Sequence, residues 1–172
     1  NDINGIAMPY FTHATDVMKL GWRWGCGTRQ NCLAFLGHDV KEDCHLSDEQ
    51  ILAGFTPSGY VASPEAIGAV EIIDELSFIP PEGISKEEEA ELKHEYILSF
   101  ADKSIHAFVG KLADRCCNSN DYKFFNPKYA LKYFKKAKPL FDLLSVRHDE
   151  IIETFGQDSY YKICTTYQAL LI

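Results

Sequence analysis

The sequence predicts a single all-α domain, of the helical-bundle kind, over residues 1–172, and three observations support this prediction. The length of 172 residues lies within the roughly 100–200 residues of one ordinary domain. Apolar residues recur at three- and four-residue spacing along most of the chain, as on the buried face of an amphipathic helix. The alternation of apolar and polar residues that indicates strands is never sustained between turn signals.

Start signals predict the first helices in order. A helix is expected over residues 9–24, before the break at residues 25–27. Thr28 is a suitable N-cap for a second helix that ends near Asp39. Residues 47–50, with the sequence Ser-Asp-Glu-Gln, form a capping box, in which the Ser and Gln side chains accept from each other's backbone N–H. They predict the start of a third, short helix.

The second half of the chain has similar signals. Ser63-Pro64 predicts a helix start with Pro at the first helical position, where its missing N–H costs nothing. Residues 85–88 form another capping box and open a charged helix. Apolar residues predict a helix over 105–117, a long helix follows over 126–144, and the last begins at Asp158 or Ser159.

Composition excludes several classes of protein. The net charge of -8 argues against a general nucleic-acid-binding or anionic-membrane surface. A phosphorylated ligand remains compatible with it, because one bound divalent cation reverses the local field. No apolar run approaches the about 20 residues of a membrane span. The six cysteines include no C-x-x-C, so we expect reduced thiols in a cytoplasmic protein.

Three places concentrate side chains that could bind a metal ion: His13, the pair His38-Asp39, and Asp114. Two imidazoles and two carboxylates suit Mn²⁺, Fe²⁺ or Zn²⁺. Burial of Asp114 in its apolar helix is costly unless a charge or a metal ion pairs with it. The residues alone leave another interpretation open, in which His13 caps a helix at the surface and Asp114 pairs with Arg115 or a neighbouring lysine.

The order of these residues resembles the H…HD…D signature of the HD-domain metal phosphohydrolases. Local motifs narrow the resemblance to the Rel/Spo-type (p)ppGpp 3′-pyrophosphohydrolases, which include the small alarmone hydrolases. Three segments carry it: residues 9–13 resemble P-Y-x-x-H, residues 33–44 resemble A-x-L-H-D-x-x-E-D-T with Cys44 in place of Thr, and residues 111–118 resemble K-L-A-D-R-x-x-N. The resemblance covers about residues 9–144.

The resemblance implies an HD-domain helical fold and metal-dependent removal of pyrophosphate from the 3′ position of (p)ppGpp, a reaction of the stringent response. It implies a small phosphorylated nucleotide as the partner, and neither nucleic acid nor membrane. Mn²⁺, or another divalent transition metal, would be held by His13, His38, Asp39 and Asp114. The catalytic residues would be Glu42 and Asp43, and the substrate-binding residues would be Asn118, Tyr133 and Lys128.

Ordinary structural roles remain open for these residues. Glu42 and Asp43 would also suit a solvated turn, where their negative charges would stabilise the N-terminus of the following helix by interacting with its dipole. Asn118 would suit a helix C-cap, and Tyr133 would suit the core.

The sequence departs from the family in its basic residues. The small alarmone hydrolases have an Arg-Lys pair shortly before P-Y-x-x-H, whereas residues 1–8 include no basic residue. Tyr129 stands where a basic residue is expected, with Lys128 and Lys132 as possible substitutes. Two alternatives therefore stay open: hydrolysis of another nucleotide, such as NADPH, a dNTP or a nucleoside monophosphate, and a non-catalytic nucleotide-sensing module. The complete set of metal-binding and acidic residues favours an enzyme.

Overall fold

The computed structural model describes the backbone of residues 2–3, 6–7, 10–125 and 127–170. Side chains are described for residues 11–120, 131 and 133–170. The predicted all-α fold is confirmed. The helices are α1 (Tyr10–Trp24), α2 (Arg29–Leu36), α3 (Val40–Cys44), α4 (Asp48–Phe55), α5 (Pro64–Leu76), α6 (Lys86–Leu98), α7 (Ile105–Phe125), α8 (Pro127–Val146), α9 (His148–Phe155) and α10 (Gln157–Leu170). A 3₁₀ turn, Ser99–Ala101, follows α6.

A short antiparallel pair of two-residue strands precedes the helices. It consists of β1 (Asp2–Ile3) and β2 (Ile6–Ala7), with Asp2 opposite Ala7 and Ile3 opposite Ile6. The strands are too short to have shown a period of two in the sequence.

The predicted N-caps form the expected hydrogen bonds. The Ser47 hydroxyl accepts from the Gln50 N–H and the Gln50 side chain accepts from the Ser47 N–H, so the capping box is complete. The same reciprocal pair joins Ser85 and Glu88 at the start of α6. Thr28 and Ser63 cap α2 and α5 by accepting from the backbone three residues later. These starts were predictable because each depends on neighbouring residues alone.

Helix ends differ more from expectation. α2 ends at Leu36 rather than near Asp39, because Gly37 leaves the helical conformation and its N–H bonds back to Leu33 and Ala34. α7 continues beyond Cys117 to Phe125. α9 was not predicted separately; it buries Ile151 completely and ends at Phe155, before Gly156, whose φ is 89°.

α7 is the central helix of the fold. It packs against α1, α2, α5, α8, α9 and α10, and every residue from Ala107 to Asp114 is buried. A helix that is buried all round must find partners for its polar residues. Lys111 and Asp114 are 4% exposed, and they lie on this buried stretch.

Close packing around Phe35 brings α1 and α7 against α2. A Cβ atom at Gly21 of α1 would lie 2.5 Å from Phe35 Cε2, and one at Gly110 of α7 would lie 2.6 Å from Phe35 Cε1. The missing side chains therefore permit a helix spacing that any larger residue would prevent. This spacing brings together the helices that carry the candidate site.

The other helices are amphipathic or largely polar. α6 buries Ile97 and exposes most of its charged residues. In the ranges that the structure describes, no helix combines the length and the apolar character needed to span a membrane.

Candidate active site

Three of the four predicted metal ligands form one cluster. His13 lies in the first turn of α1, His38 follows α2, and Asp114 lies on α7. One ligand atom from each lies within 4.8 Å of the others. The His13 Nε2 to Asp114 Oδ1 distance is 3.3 Å, and the His38 Nε2 to Asp114 Oδ1 distance is 3.9 Å.

Asp39, the fourth predicted ligand, lies at the edge of this cluster. It precedes α3 as the N-cap residue. Its Oδ2 is 2.9 Å from His38 Nε2, but the set of mutually close ligand atoms does not include Asp39. The structure therefore places Asp39 in contact with His38, while its carboxylate does not lie within 4.8 Å of the ligand atoms of all three.

The His38 ring is oriented by the backbone of α2. His38 Nδ1 lies 2.8 Å from the Phe35 carbonyl oxygen. A carbonyl can only accept, so Nδ1 carries a proton, and in the neutral ring Nε2 has the free lone pair. A ring held this way by a backbone carbonyl is typical of a histidine that binds metal through its other nitrogen.

His38 Nε2 is a buried atom that faces carboxylates. It has no hydrogen-bond partner in the described part of the chain, although Asp39 Oδ2 lies 2.9 Å away. Burial acts to lower the pKa of His38, but Asp39 and Asp114 outweigh it and raise the pKa. A lone pair that faces two carboxylates requires a proton or a cation between them. This donor set suits a borderline divalent metal ion.

Asp114 is ionised in a nearly dry environment. Burial alone would raise the pKa of its carboxyl, yet Lys111 and Arg115 hold that pKa well below its usual range. Lys111 Nζ lies 3.4 Å, and Arg115 Nε 3.8 Å, from Asp114 Oδ2. Asp114 thus pairs with cations through Oδ2 and faces the two imidazoles through Oδ1.

Asn118 also forms a hydrogen bond with Asp114. Its amide Nδ2 donates to Asp114 Oδ1. The alternative role as a helix C-cap is wrong, because α7 continues to Phe125 and the Asn118 side chain reaches back one turn. Asn118 is not among the residues that line the adjoining cleft, so in this structure it orients a carboxylate.

The two predicted catalytic acids lie in different environments. Glu42 is half-buried and lines the cleft, and its Oε1 accepts from the Phe78 N–H at 2.7 Å. Asp43 is exposed and outside the cleft lining. Successive residues of a helix point about 100° apart, so α3 presents Glu42 to the cleft and Asp43 to its flank.

The cleft lies between α6, α7 and α8 and has a volume of about 790 Å³. Five lysine and arginine side chains line it, against two carboxylates: Lys86, Lys93, Lys111, Arg115 and Lys136 against Glu42 and Glu89. This local excess of positive charge contrasts with the net charge of -8 of the whole chain. Such a cleft favours an anionic ligand.

Tyr133 lines the cleft from α8. Arg115 Nη1 donates to its hydroxyl, and the guanidinium carbon lies 5.4 Å from the ring centroid. Tyr133 is therefore at the cleft wall and linked to Asp114 through Arg115. Lys128 lies on α8, but its side chain is outside the described residues.

Sequence reasoning missed the contribution of α6. Tyr96 lines the cleft and donates its hydroxyl proton to the Leu76 carbonyl. Burial is the largest cause that raises the pKa of Tyr96. Lys86 and Lys93 also line the cleft, and their spacing of two helical turns was a signal in the sequence. The many charges of α6 concealed it, because they resemble a solvated face.

Comparison with known proteins supports the fold. No protein-family model matches the chain, and no curated protein matches its sequence. The structure is similar to that of a protein described as a metazoan ortholog of SpoT that hydrolyzes ppGpp and plays a role in starvation responses. The TM-score is 0.64 at 22% sequence identity, over 94% of this chain and 82% of the other. The fold implied by the H…HD…D resemblance is confirmed.

Proposed function

We propose that this chain is a metal-dependent hydrolase that removes pyrophosphate from the 3′ position of (p)ppGpp. The observation that carries the proposal is the His13–His38–Asp114 cluster, with the buried His38 Nε2 facing carboxylates, beside a cationic cleft. A protein of the same fold hydrolyzes ppGpp, and this supports the choice of substrate.

The cluster would hold one divalent ion, with Mn²⁺ as our first choice. His13, His38 and Asp114 would be ligands, and Asp39 lies close enough to His38 to join them. Such an ion polarises phosphoryl oxygens and lowers the pKa of water. Lys111, Arg115 and Asn118 keep Asp114 ionised and oriented for this role.

Glu42 is proposed as the general base. Its Oε1 is occupied by the Phe78 N–H, which leaves Oε2 to orient a water molecule. The water oxygen attacks the phosphorus on the 3′ oxygen and its proton passes to Glu42, while the bond from phosphorus to the 3′ oxygen breaks. That oxygen leaves with the electron pair and is protonated, so ppGpp and water give GDP and pyrophosphate. Asp43, at the next position, is proposed to assist.

The cleft is proposed as the nucleotide site. Its volume of about 790 Å³ is within the roughly 300–1,000 Å³ of small-molecule pockets. Tyr133 is suited to contact the base or ribose, and the lysine side chains are suited to phosphates. Asn118 and Lys128 stay predictions from the family resemblance as substrate contacts.

One observation favours a second candidate, hydrolysis of a different phosphorylated nucleotide. Residues 1–8 lack the basic pair that the alarmone hydrolases use. A change in substrate would leave the metal cluster and Glu42 in the same roles.

The test is release of pyrophosphate and phosphate with Mn²⁺ from ppGpp, pppGpp, NADPH, dNTPs and nucleoside monophosphates. We expect pyrophosphate from ppGpp, loss of release with a chelator, and loss in His38→Ala. If pyrophosphate or phosphate were released only from another substrate, the metal cluster and Glu42 would keep their proposed roles and that substrate would replace (p)ppGpp. A protein that binds Mn²⁺ and hydrolyses none of them would be a nucleotide-binding module instead.

A further inference from the structure

Two lysines on facing helices lie at the outer part of the cleft. Lys93 is on α6 and Lys136 is on α8, and both are exposed while lining the cleft. The inner cations, Lys111 and Arg115, are much less exposed, with 4% and 24% of their side-chain surfaces accessible against 58% for Lys93. The cleft therefore has an inner and an outer group of positive charges.

The two outer lysines line the same cleft from two helices that contact each other. Lys93 and Ala90 line the cleft from α6, and Lys136 and Ala137 line it from α8. The small side chains of the two alanines fill little of the cleft, so they leave room between the long lysine side chains. The outer part of the cleft is thus open to a ligand and bounded by cations on both sides.

The cations of the cleft differ in how far carboxylates neutralise them, and Lys136 is the least neutralised of the four. Lys111 contacts Asp114 and the Leu76 carbonyl, so its charge is already matched. Lys93 pairs with Glu89 Oε1 at 2.6 Å. For Lys136, no carboxylate lies within ion-pair distance among the side chains described. Positive charge without a matching carboxylate is what a phosphate group would neutralise.

We propose that Lys93 and Lys136 bind the phosphate groups of the substrate that are not cleaved. This inference rests on the proposed function. When the scissile group is at the His13–His38–Asp114 cluster, a second phosphate chain on the same nucleotide extends toward the outer cleft. These lysines would supply the charge that residues 1–8 lack.

The kinetic test compares two substrates that differ in that second chain. The substrates are ppGpp and guanosine 3′-diphosphate, which has no 5′ phosphates. The variants are Lys93→Gln, Lys136→Gln and the double variant. Each exposed charge contact is worth up to about fivefold in affinity, so we expect the KM for ppGpp to rise about two- to fivefold in each single variant and about tenfold in the double. The kcat for ppGpp should stay unchanged. The KM for guanosine 3′-diphosphate should also stay unchanged, because this substrate lacks the 5′ phosphates that the two lysines would contact.

Lys138→Gln is the matched control. Lys138 is on the same helix, pairs with Asp142 and lies outside the cleft lining, so its loss should leave both KM values unchanged. Equal changes in KM for the two substrates, or no change in the double variant, would overturn the inference.

A binding measurement separates this inference from the proposed function. Inorganic tripolyphosphate is titrated calorimetrically into the protein with chelator present, so that neither a metal ion nor turnover is needed. We expect the Kd to rise about tenfold in the double variant, to stay unchanged in Lys138→Gln, and to rise with salt because exposed charges are screened. This result would support the lysine site even if ppGpp is not hydrolysed. Absence of binding to the wild type, or equal binding by the double variant, would overturn it.

Discussion

The Nε2 atom of His13 lies 3.3 Å from the Oδ1 atom of Asp114, and this contact joins the start of α1 to the central helix α7. The contact exists because α7 is buried on all sides and its one carboxylate there has to be matched. Two cations match it from one side and two imidazoles from the other. Asp114 is thus a structural residue, and the proposed function makes it a metal ligand as well.

Asp114→Asn should therefore lower stability as well as abolish activity. In chelator, the substitution leaves the buried Lys111 ammonium without its carboxylate, and loss of one partner of a buried pair costs about 3–5 kcal/mol. We expect the free energy of unfolding in urea to fall by about that amount. Asp142→Asn, which breaks the exposed pair with Lys138, is the control and should cost less than about 1 kcal/mol. Equal losses in the two variants would contradict the account of Asp114.

Glu42→Gln should reduce kcat without loss of metal. The glutamine side-chain oxygen still accepts from the Phe78 N–H, so the local structure is kept while the base is removed. We expect kcat to fall by about 10²–10⁴-fold, the usual contribution of general-base catalysis, with Mn²⁺ content unchanged. Asp43→Asn, on the exposed flank of α3, should cost less. Full turnover by Glu42→Gln would remove Glu42 from the mechanism.

Lys103 should give the stability a pH dependence in the alkaline range. Burial, the largest cause, lowers its pKa to about 8, and its ammonium lies 4.0 Å from the Tyr96 ring centroid. Between this pKa and the ordinary lysine value of 10.5, the unfolded chain binds more protons, so this group makes stability rise with pH. We expect that rise to be steeper in the wild type than in Lys103→Met, measured by urea unfolding from pH 7 to 10.5. If the free energy of unfolding had the same pH dependence in both proteins, the pKa of Lys103 would not be lowered in the folded state.

Gly110→Ala should destabilise the packing of α7 against α2. The new Cβ would lie 2.6 Å from Phe35 Cε1 and 3.3 Å from Leu76 Cδ1, and overpacking of this kind costs about 1–3 kcal/mol. Gly54→Ala is the control, because a Cβ at Gly54 in α4 meets nothing within 4 Å, and alanine favours a helix by about 1 kcal/mol. Thermal unfolding should move the melting temperature down in the first variant and up in the second. An equal increase of the melting temperature in both variants would mean that the Phe35 side chain shifts to accommodate the new Cβ without a loss of stability.

The helix starts and the candidate metal ligands were accessible from the sequence. Ser47 and Ser85 begin helices through hydrogen bonds to residues three positions away, so the signal lies within four residues. The order of His13, His38-Asp39 and Asp114 carried the family resemblance without coordinates. The length of α7 was not accessible, because an asparagine such as Asn118 suits a helix cap and a helix interior equally well in the sequence. Only the structure shows that its side-chain amide donates to Asp114, one turn earlier in the same helix.

The arrangement of the site depends on contacts between residues far apart in the chain. The hydrogen bond from the Phe78 N–H to Glu42 fixes which face of α3 is turned to the cleft, and the cleft is lined by side chains of α6, α7 and α8 that are far apart in the chain. Local sequence encodes the hydrogen bonds within a helix, whose partners are a few residues apart. Which face of α6 lines a cleft, and which lysines meet there, follows from burial of the apolar core as a whole, because the free energy of burying apolar surface depends on every helix packed around α7.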